Sequence, residues 1–319
     1  MMDAQFKEIK EVVVPPRLKD GDGIRIIAPA SAPDMRALSR SVTKLTKLGY
    51  RVSLGRNIRK LVQRNSLAAP SQDRAEEIME AFRDDTVNAI FCARGGYGSI
   101  HILPYLDYDM IREHPKIFMG YSDITALHMA FNKLSGMVTF HGPMPASDPD
   151  EYGKSTFRNY LNVLSGKSDD ISQFIDNVVK YIFKGKVEGK SVGTNVSVFS
   201  SLIGTDYMPS SDNRILFAED TGITSGDLDR YFSVMKLSGI LQRFVAFAFG
   251  DFKQIVDIEE PMPYIEDIIQ QYLSELQKPS VYGLPFGHVA DSQMLIPLNA
   301  WMTFSTDYPY IEVRGHLVD

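Results

Sequence analysis

The first half of the chain alternates short apolar runs with segments whose apolar residues recur at helical spacing. Residues 24–30, 51–54 and 87–93 are runs typical of buried parallel strands. Residues 35–48 and 72–83 have the spacing of amphipathic helices, and Gly49 follows the first of them as a C-terminal cap. This β-α-β-α order continues to about residue 134 and predicts an α/β fold with an open, doubly wound, mostly parallel sheet.

The pattern changes after residue 150. Residues 151–190 are polar, and only 152–164 have helical spacing, so we expect an irregular connector that contains one helix. Residues 191–319 mix strand-like and helical segments without the earlier regularity. The sequence therefore predicts an N-terminal domain (1–150), a connector (151–190) and a smaller α+β C-terminal domain (191–319).

Composition excludes several functional classes. The 319 residues include 40 acidic and 34 basic side chains, a net charge of −6, which disfavours a nucleic-acid partner. One cysteine, Cys92, permits no internal disulfide and no multi-cysteine metal site. No apolar run approaches the roughly 20 residues of a membrane span, and the N-terminal residues lack a signal-peptide pattern. We expect a soluble, cytoplasmic protein that contacts no membrane.

Two segments follow predicted strands, where α/β proteins place their sites. The first, residues 92–99, contains Gly95, Gly96 and Gly98, which either form a tight turn or bring backbone amides to a ligand. The second contains Ser122, between a strand and a helix. Its surroundings are similar to a nucleophile elbow, in which the amide of Asp123 stabilises an oxyanion. A simple helix cap is the alternative.

A serine nucleophile requires a base and an acid that orients it. Among six histidines, His141 follows a strand-like run, and His288 lies in a glycine-rich loop after a C-terminal strand. Glu219 ends an apolar strand, where a carboxylate needs a partner, and Asp220 is the adjacent alternative.

These motifs together resemble the S66 serine peptidase family, which comprises the L,D-carboxypeptidases and the microcin C self-immunity proteins. The resemblance covers most of the chain and is carried by RGGYG (94–98), GYSDIT (120–125), FAED (217–220) and FGH (286–288). It implies a flavodoxin-like first domain and a swivelling-type second domain.

The resemblance also implies site residues. Ser122 matches the nucleophile, Glu219 the acid and His288 the base, and the oxyanion hole falls at the amides of Asp123, Gly95 and Gly96. We expect the substrate to be bound by surrounding side chains, for which the candidates are Arg94, Tyr97 and Asn195.

The implied activity is hydrolysis of the bond to the terminal D-alanine of a murein tetrapeptide during peptidoglycan recycling, by a homodimer without metal or cofactor. The chain departs from the family pattern at residues 193–196 (Gly-Thr-Asn-Val for Gly-Gly-Asn-Leu) and at Asn299, where relatives tend to have glycine. We expect both departures to lie near the substrate.

Two other functions stay open. An immunity-type amidase acting on peptidyl or aminoacyl nucleotides requires an aromatic platform, for which the connector offers Phe174, Tyr181 and Phe183. A non-catalytic muropeptide-binding protein is the alternative from another class.

Overall fold

Two β-sheets organise the protein in the computed structural model, which describes residues 6–59, 67–146, 154–171, 179–254, 263–288, 293–306 and 310–319. The first sheet has six strands: β1 (Gly23–Ile27), β2 (Arg51–Leu54), β3 (Ala89–Cys92), β4 (Ile117–Gly120), β5 (Thr139–His141) and β11 (Ile296–Leu298). Strands β1 to β5 are parallel in the order 2-1-3-4-5, and β11 is antiparallel to β5. This order is flavodoxin-like, which confirms the predicted doubly wound sheet.

The second sheet has seven strands: β6 (Lys180–Phe183), β7 (Lys186–Asn195), β8 (Arg214–Ile223), β9 (Ala246–Gln254), β10 (Ser280–Tyr282), β12 (Trp301–Ser305) and β13 (Tyr310–Val313). Their order is 13-12-7-8-9-10-6, and β7 to β10 are mutually parallel. The protein is thus a mixed α/β fold with two sheets. The swivelling character expected of the second domain stays a prediction.

Residues 180–183 and 186–190 form strands, although the sequence predicted an irregular connector there. The strands were not predicted because most of these side chains are at least partly exposed. Strand β6 lies at a sheet edge, and residues 186–189 of β7 pair with β12. Strands at such positions tolerate polar side chains, and a polar sequence does not show the apolar pattern that predicts a strand. The domain bounds themselves stay a prediction.

Helices pack against both sheets, and most lie where their apolar spacing predicted. They are α1 (Met35–Lys47), α2 (Arg56–Arg59), α3 (Ser71–Arg83), α4 (Tyr108–Glu113), α5 (Thr125–Leu134), α6 (Lys154–Leu164), α7 (Val196–Ser201), α8 (Ser225–Leu237) and α9 (Ile265–Leu276). Asp34 caps α1 by accepting the amides of Arg36 and Ala37, both at 2.8 Å. Within the residues described, no helix is both long and apolar enough to cross a bilayer.

The apolar core joins the two sheets. One buried cluster combines Phe118 and Phe131 of the first half with Phe199 and Phe232 of the second. Another combines Phe91 and Phe140 with Phe217 and Phe286 in the same way. Because burial of apolar area is the main stabilising contribution in folding, these shared clusters hold the two sheets together.

His128 on α5 is buried beneath the end of β4. Its Nε2 lies 2.9 Å from the carbonyl oxygen of Gly120, and its Nδ1 lies 2.9 Å from the hydroxyl of Thr139. A carbonyl can only accept, so Nε2 carries the proton and Nδ1 accepts from Thr139. Burial lowers the pKa of His128 from 6.5 to about 4.

We therefore expect the protein to lose stability in acid because of His128. An unfolded chain takes up a proton at this residue as the pH falls through 6.5, whereas the folded chain takes it up only near 4. The free energy of unfolding falls over that interval by up to about 3 kcal/mol. Urea denaturation between pH 7.5 and 4 measures this slope, which should be reduced in His128→Gln.

The control is His316→Gln, because the His316 side chain is 81% exposed. It should keep the slope of the wild type. An unchanged slope in His128→Gln would show that other groups cause the acid sensitivity.

Candidate active site

Ser122 occupies a strained turn between β4 and α5. Its φ is 63°, and it begins a 3₁₀ turn, Ser122–Ile124, that leads directly into the helix. A positive φ at a non-glycine residue costs about 1–3 kcal/mol and marks functional turns. Among the residues that the structure describes, no side chain caps the first turn of α5, so the geometry does not favour the helix-cap alternative for Ser122. The geometry is that of a nucleophile elbow.

The glycine turn after β3 lies against this elbow. A methyl group on Gly95 would lie 3.1 Å from Cβ of Ser122 and 3.2 Å from the amide nitrogen of Asp123, so a side chain there would crowd the serine. The amides of Gly95, Gly96 and Asp123 donate to no other group within the described part of the chain. Backbone donors gathered beside a serine can bind a developing oxyanion.

Two buried charged residues, Asp123 and Arg74, hold the glycine turn. The carboxylate of Asp123 accepts the amide of Ser99 at 2.8 Å and also the amide of Gly98. Arg74, which is fully buried, donates to the carbonyl oxygens of Gly98 (2.9 Å) and Pro29 (2.5 Å). Burial raises the pKa of Asp123, and the two amides oppose this rise. The turn is thereby held through both its carbonyl and its amide groups.

Two residues that support this turn, Arg74 and Ser31, were not predicted from the sequence. Arg74 lies on the same face of α3 as Ile78 and Phe82. A charged residue within such an apolar face could have indicated that Arg74 is buried with partners. Ser31, just beyond β1, donates its amide to the carbonyl of Gly95 at 3.1 Å, and its hydroxyl accepts the amide of Tyr97 at 3.2 Å. The position of Ser31 after a parallel strand could have indicated that it lies near the site.

Glu219 and His288 form a hydrogen-bonded pair next to the elbow. Nδ1 of His288 lies 2.8 Å from Oε2 of Glu219, and the imidazole centroid lies 5.1 Å from that of Tyr121, which precedes Ser122. The Glu219 side chain is fully buried, whereas 20% of the His288 side chain is exposed. Burial raises the pKa of Glu219, and the hydrogen bond from His288 opposes this rise. With Nδ1 bound to the carboxylate, Nε2 is the nitrogen available for proton transfer.

Asp220, the alternative acid, faces different partners. It accepts the amides of Ser197 and Thr221, both at 2.8 Å, and the side-chain amide of Asn195 at 3.0 Å. Of the two candidate acids, Glu219 is therefore the one that contacts His288.

Gly287 allows this pair to form. Its φ is 100°, and a methyl group there would lie 2.8 Å from both Cβ and Oε2 of Glu219. Glycine is thus required by the backbone conformation and by the close approach of the acid.

His141, the other candidate base, is fully buried. Its Nδ1 lies 2.6 Å from the hydroxyl of Thr194, and its ring packs on those of Tyr121 and Phe286. Burial lowers its pKa well below the usual value. An imidazole with no exposed surface cannot exchange a proton with a bound substrate, which leaves His288 as the candidate base.

The candidate substrate-binding residues differ in accessibility. Arg94 is exposed and donates to the carbonyl of Ala32 at 3.1 Å, and Tyr97 is 54% exposed. Asn195 is only 3% exposed, and both polar atoms of its side chain have protein partners. Asn195 caps helix α7, and its expected contact with the substrate stays a prediction.

The two departures from the family pattern have structural explanations. Thr194 uses its hydroxyl to contact His141. Asn299 has a φ of 67°, a conformation that asparagine tolerates in place of glycine, and donates to the carbonyl of Gly136 at 2.9 Å.

Of the aromatic residues suggested for a nucleotide base, Phe174 lies outside the described residues. Tyr181 is 39% exposed on β6, and Phe183 packs against the core.

Comparisons with known proteins identify the family of the chain. The family model described as LD-carboxypeptidase N-terminal domain matches residues 24–142, and the corresponding C-terminal domain model matches residues 188–304. The chain belongs to the S66 LD-carboxypeptidase family. The S66 family consists of peptidases, and the chain is accordingly a hydrolase of the serine carboxypeptidase type.

Similar proteins include a probable murein peptide carboxypeptidase from Bacillus subtilis (strain 168), 33% identical over 92% of this chain and 91% of its own length. A solved MccF-like protein from Bacillus anthracis str. Ames has a TM-score of 0.81 and 29% identity, covering 95% of this chain and 98% of that one. A solved muramoyltetrapeptide carboxypeptidase from Oxalobacter formigenes has a TM-score of 0.76 and 27% identity, covering 91% and 97%.

We expect Gly287→Ala to lower activity about 100-fold or more, because the methyl group would push Glu219 away from His288 and such displacements have effects of that size. The matched control is Gly283→Ala. Gly283 also has a positive φ, 90°, but has open space around its Cβ direction. Steady-state kinetics of both variants separate the clash from backbone strain. Equal losses of activity in Gly287→Ala and Gly283→Ala would mean that backbone strain, and not the clash with Glu219, lowers the activity.

Proposed function

We propose that this S66 peptidase is an L,D-carboxypeptidase that releases the terminal D-alanine of murein tetrapeptides through Ser122, His288 and Glu219. The observation that supports it best is the Glu219–His288 pair, which lies beside the strained turn of Ser122. The amide of Asp123 lies in that turn, and Gly95 of the glycine turn packs against it.

In the first step, Oγ of Ser122 attacks the carbonyl carbon that precedes the D-residue, and its proton passes to Nε2 of His288. Glu219 holds the imidazole by its Nδ1 and stabilises the imidazolium that forms. The oxyanion binds the amides of Asp123, Gly95 and Gly96. Loss of one such donor typically costs about 3–4 kcal/mol of transition-state stabilisation.

In the second step, the carbon–nitrogen bond breaks, and His288 returns its proton to the leaving amine of D-alanine. A water molecule then attacks the acyl-enzyme and gives a proton to His288, which restores the hydroxyl of Ser122. The proton transfers in this cycle involve only Ser122, His288, the leaving amine and water.

The D-residue carries a free carboxylate that needs a cationic partner. Arg94 is our candidate because it is exposed on the turn that supplies the oxyanion amides. Tyr97, on the same turn, would contact the peptide with its exposed ring. A cytoplasmic location, a role in cell-wall recycling and a homodimeric state complete the proposal and stay predictions from the family resemblance.

The test is release of free D-alanine from a murein tetrapeptide by the wild type and by Ser122→Ala. We expect the variant to lose a factor of about 10⁴ to 10⁶ in kcat, as is usual when a serine nucleophile is removed. Ser274→Ala, an exposed serine on α9, is the control and should retain full activity.

Other outcomes would favour the other functions. A wild type that releases no D-alanine, but is labelled by a fluorophosphonate at Ser122, would have a different acyl substrate, and aminoacyl nucleotides would be tested next. A wild type that neither cleaves nor is labelled would be a binding protein without catalysis.

A further inference from the structure

Asn195 ends β7 and caps α7, which fixes the orientation of its side-chain amide. Its Oδ1 accepts the hydroxyl of Ser197 at 2.7 Å and the amide of Val198 at 3.2 Å. Because the oxygen is committed to the helix terminus, the NH₂ group must face the opposite side.

On that side lie two adjacent buried carboxylates. The NH₂ group of Asn195 donates to Oε1 of Glu219 at 3.3 Å and to Oδ1 of Asp220 at 3.0 Å. Glu219 is fully buried and Asp220 is 2% exposed, so neither can rely on water for its hydrogen bonds. The two protons of a single amide therefore hold both carboxylates, one proton for each.

The backbone of Asn195 reaches the helix of the nucleophile. Its amide donates to the hydroxyl of Thr125 at 3.1 Å, and Thr125 is the first residue of α5, three residues after Ser122. Asn195 thus contacts the strand of the acid and the helix that follows the serine, although these belong to different halves of the chain.

We propose that Asn195 is the positioning residue of the catalytic acid: it sets the carboxylate of Glu219 against His288 and fixes that carboxylate relative to the helix of the nucleophile. This inference rests on the proposed Ser122, His288 and Glu219 mechanism. It assigns Asn195 no contact with the substrate.

The titratable groups around Glu219 determine how a charge at position 195 would act. His288 faces it from the loop after β10, and Asp220 adjoins it on β8. Beyond these, Tyr231 on α8 faces Asp220, and the neutral, buried His141 on β5 faces His288. A further negative charge would favour protonation of both Glu219 and the imidazole.

The test compares Asn195→Ser with Asn195→Asp, because serine and aspartate both retain the helix cap. Asn195→Ser removes the NH₂ group that donates to Glu219. We expect kcat to fall about tenfold or more, because one hydrogen bond to a charged group is lost, and KM to stay within about twofold of the wild type. In Asn195→Asp the acidic limb of the pH–rate profile should move upward by about one pH unit.

Two further readouts report on the acid without the tetrapeptide. The first is the pH dependence of the rate at which a fluorophosphonate labels Ser122. The second is the proton resonance of Nδ1 of His288, which should shift in both variants because its carboxylate partner moves. The control is Asp107→Ser, which makes the equivalent change in the cap of α4, where Asp107 accepts the amide of Met110 at 3.0 Å. It should leave kcat, both pH profiles and the Nδ1 resonance unchanged.

The outcomes separate this inference from the proposed function. A wild type that neither releases D-alanine nor is labelled at Ser122 would overturn the proposed function. An active wild type whose kcat, pH profile and Nδ1 resonance survive Asn195→Ser would overturn the role of Asn195. If Asn195→Asp does not fold, Asn195→Ser decides the matter with the same readouts.

Discussion

The full burial of Glu219 is the constraint on which the site depends. A carboxylate without solvent tends to take up a proton, and only donors supplied by the protein keep it ionised at neutral pH. Glu219 receives one donor from His288 and another from Asn195. His288 lies on a loop whose Gly287 packs against Glu219. Asn195 lies at the end of the neighbouring strand β7, opposite Glu219. The packing of the second sheet therefore serves to bring these donors to one carboxylate.

Much of the first sheet could be predicted because its signals are local. Strands buried on both faces read as apolar runs, and the parallel order then follows from the alternation with helices. Ser122 and the glycine turn could be found for the same reason, since sites follow the ends of parallel strands. Glu219 was detectable as a carboxylate that ends an apolar strand. The choice between Glu219 and Asp220 required the position of His288 or the family resemblance.

The remaining features depend on contacts between distant residues. Strand β6 and the first residues of β7 have too few buried positions to show a strand pattern. The sequence around Asn195 does not reveal that its amide faces two carboxylates, because their placement follows from the register of β7 against β8. Arg74 is similar, since its acceptors come from separate turns at Pro29 and Gly98. Such long-range placements are set by tertiary packing and not by local preference.

Strand β11 links the two sheets in a way that limits their relative motion. The segment that carries His288 leaves the second sheet after β10 and enters the first sheet at β11, where Ile296 lies opposite His141. A rotation that separated the sheets would break the β5–β11 ladder and leave the edge of β5 without its partner. His288 accordingly lies on a segment whose two ends belong to different sheets.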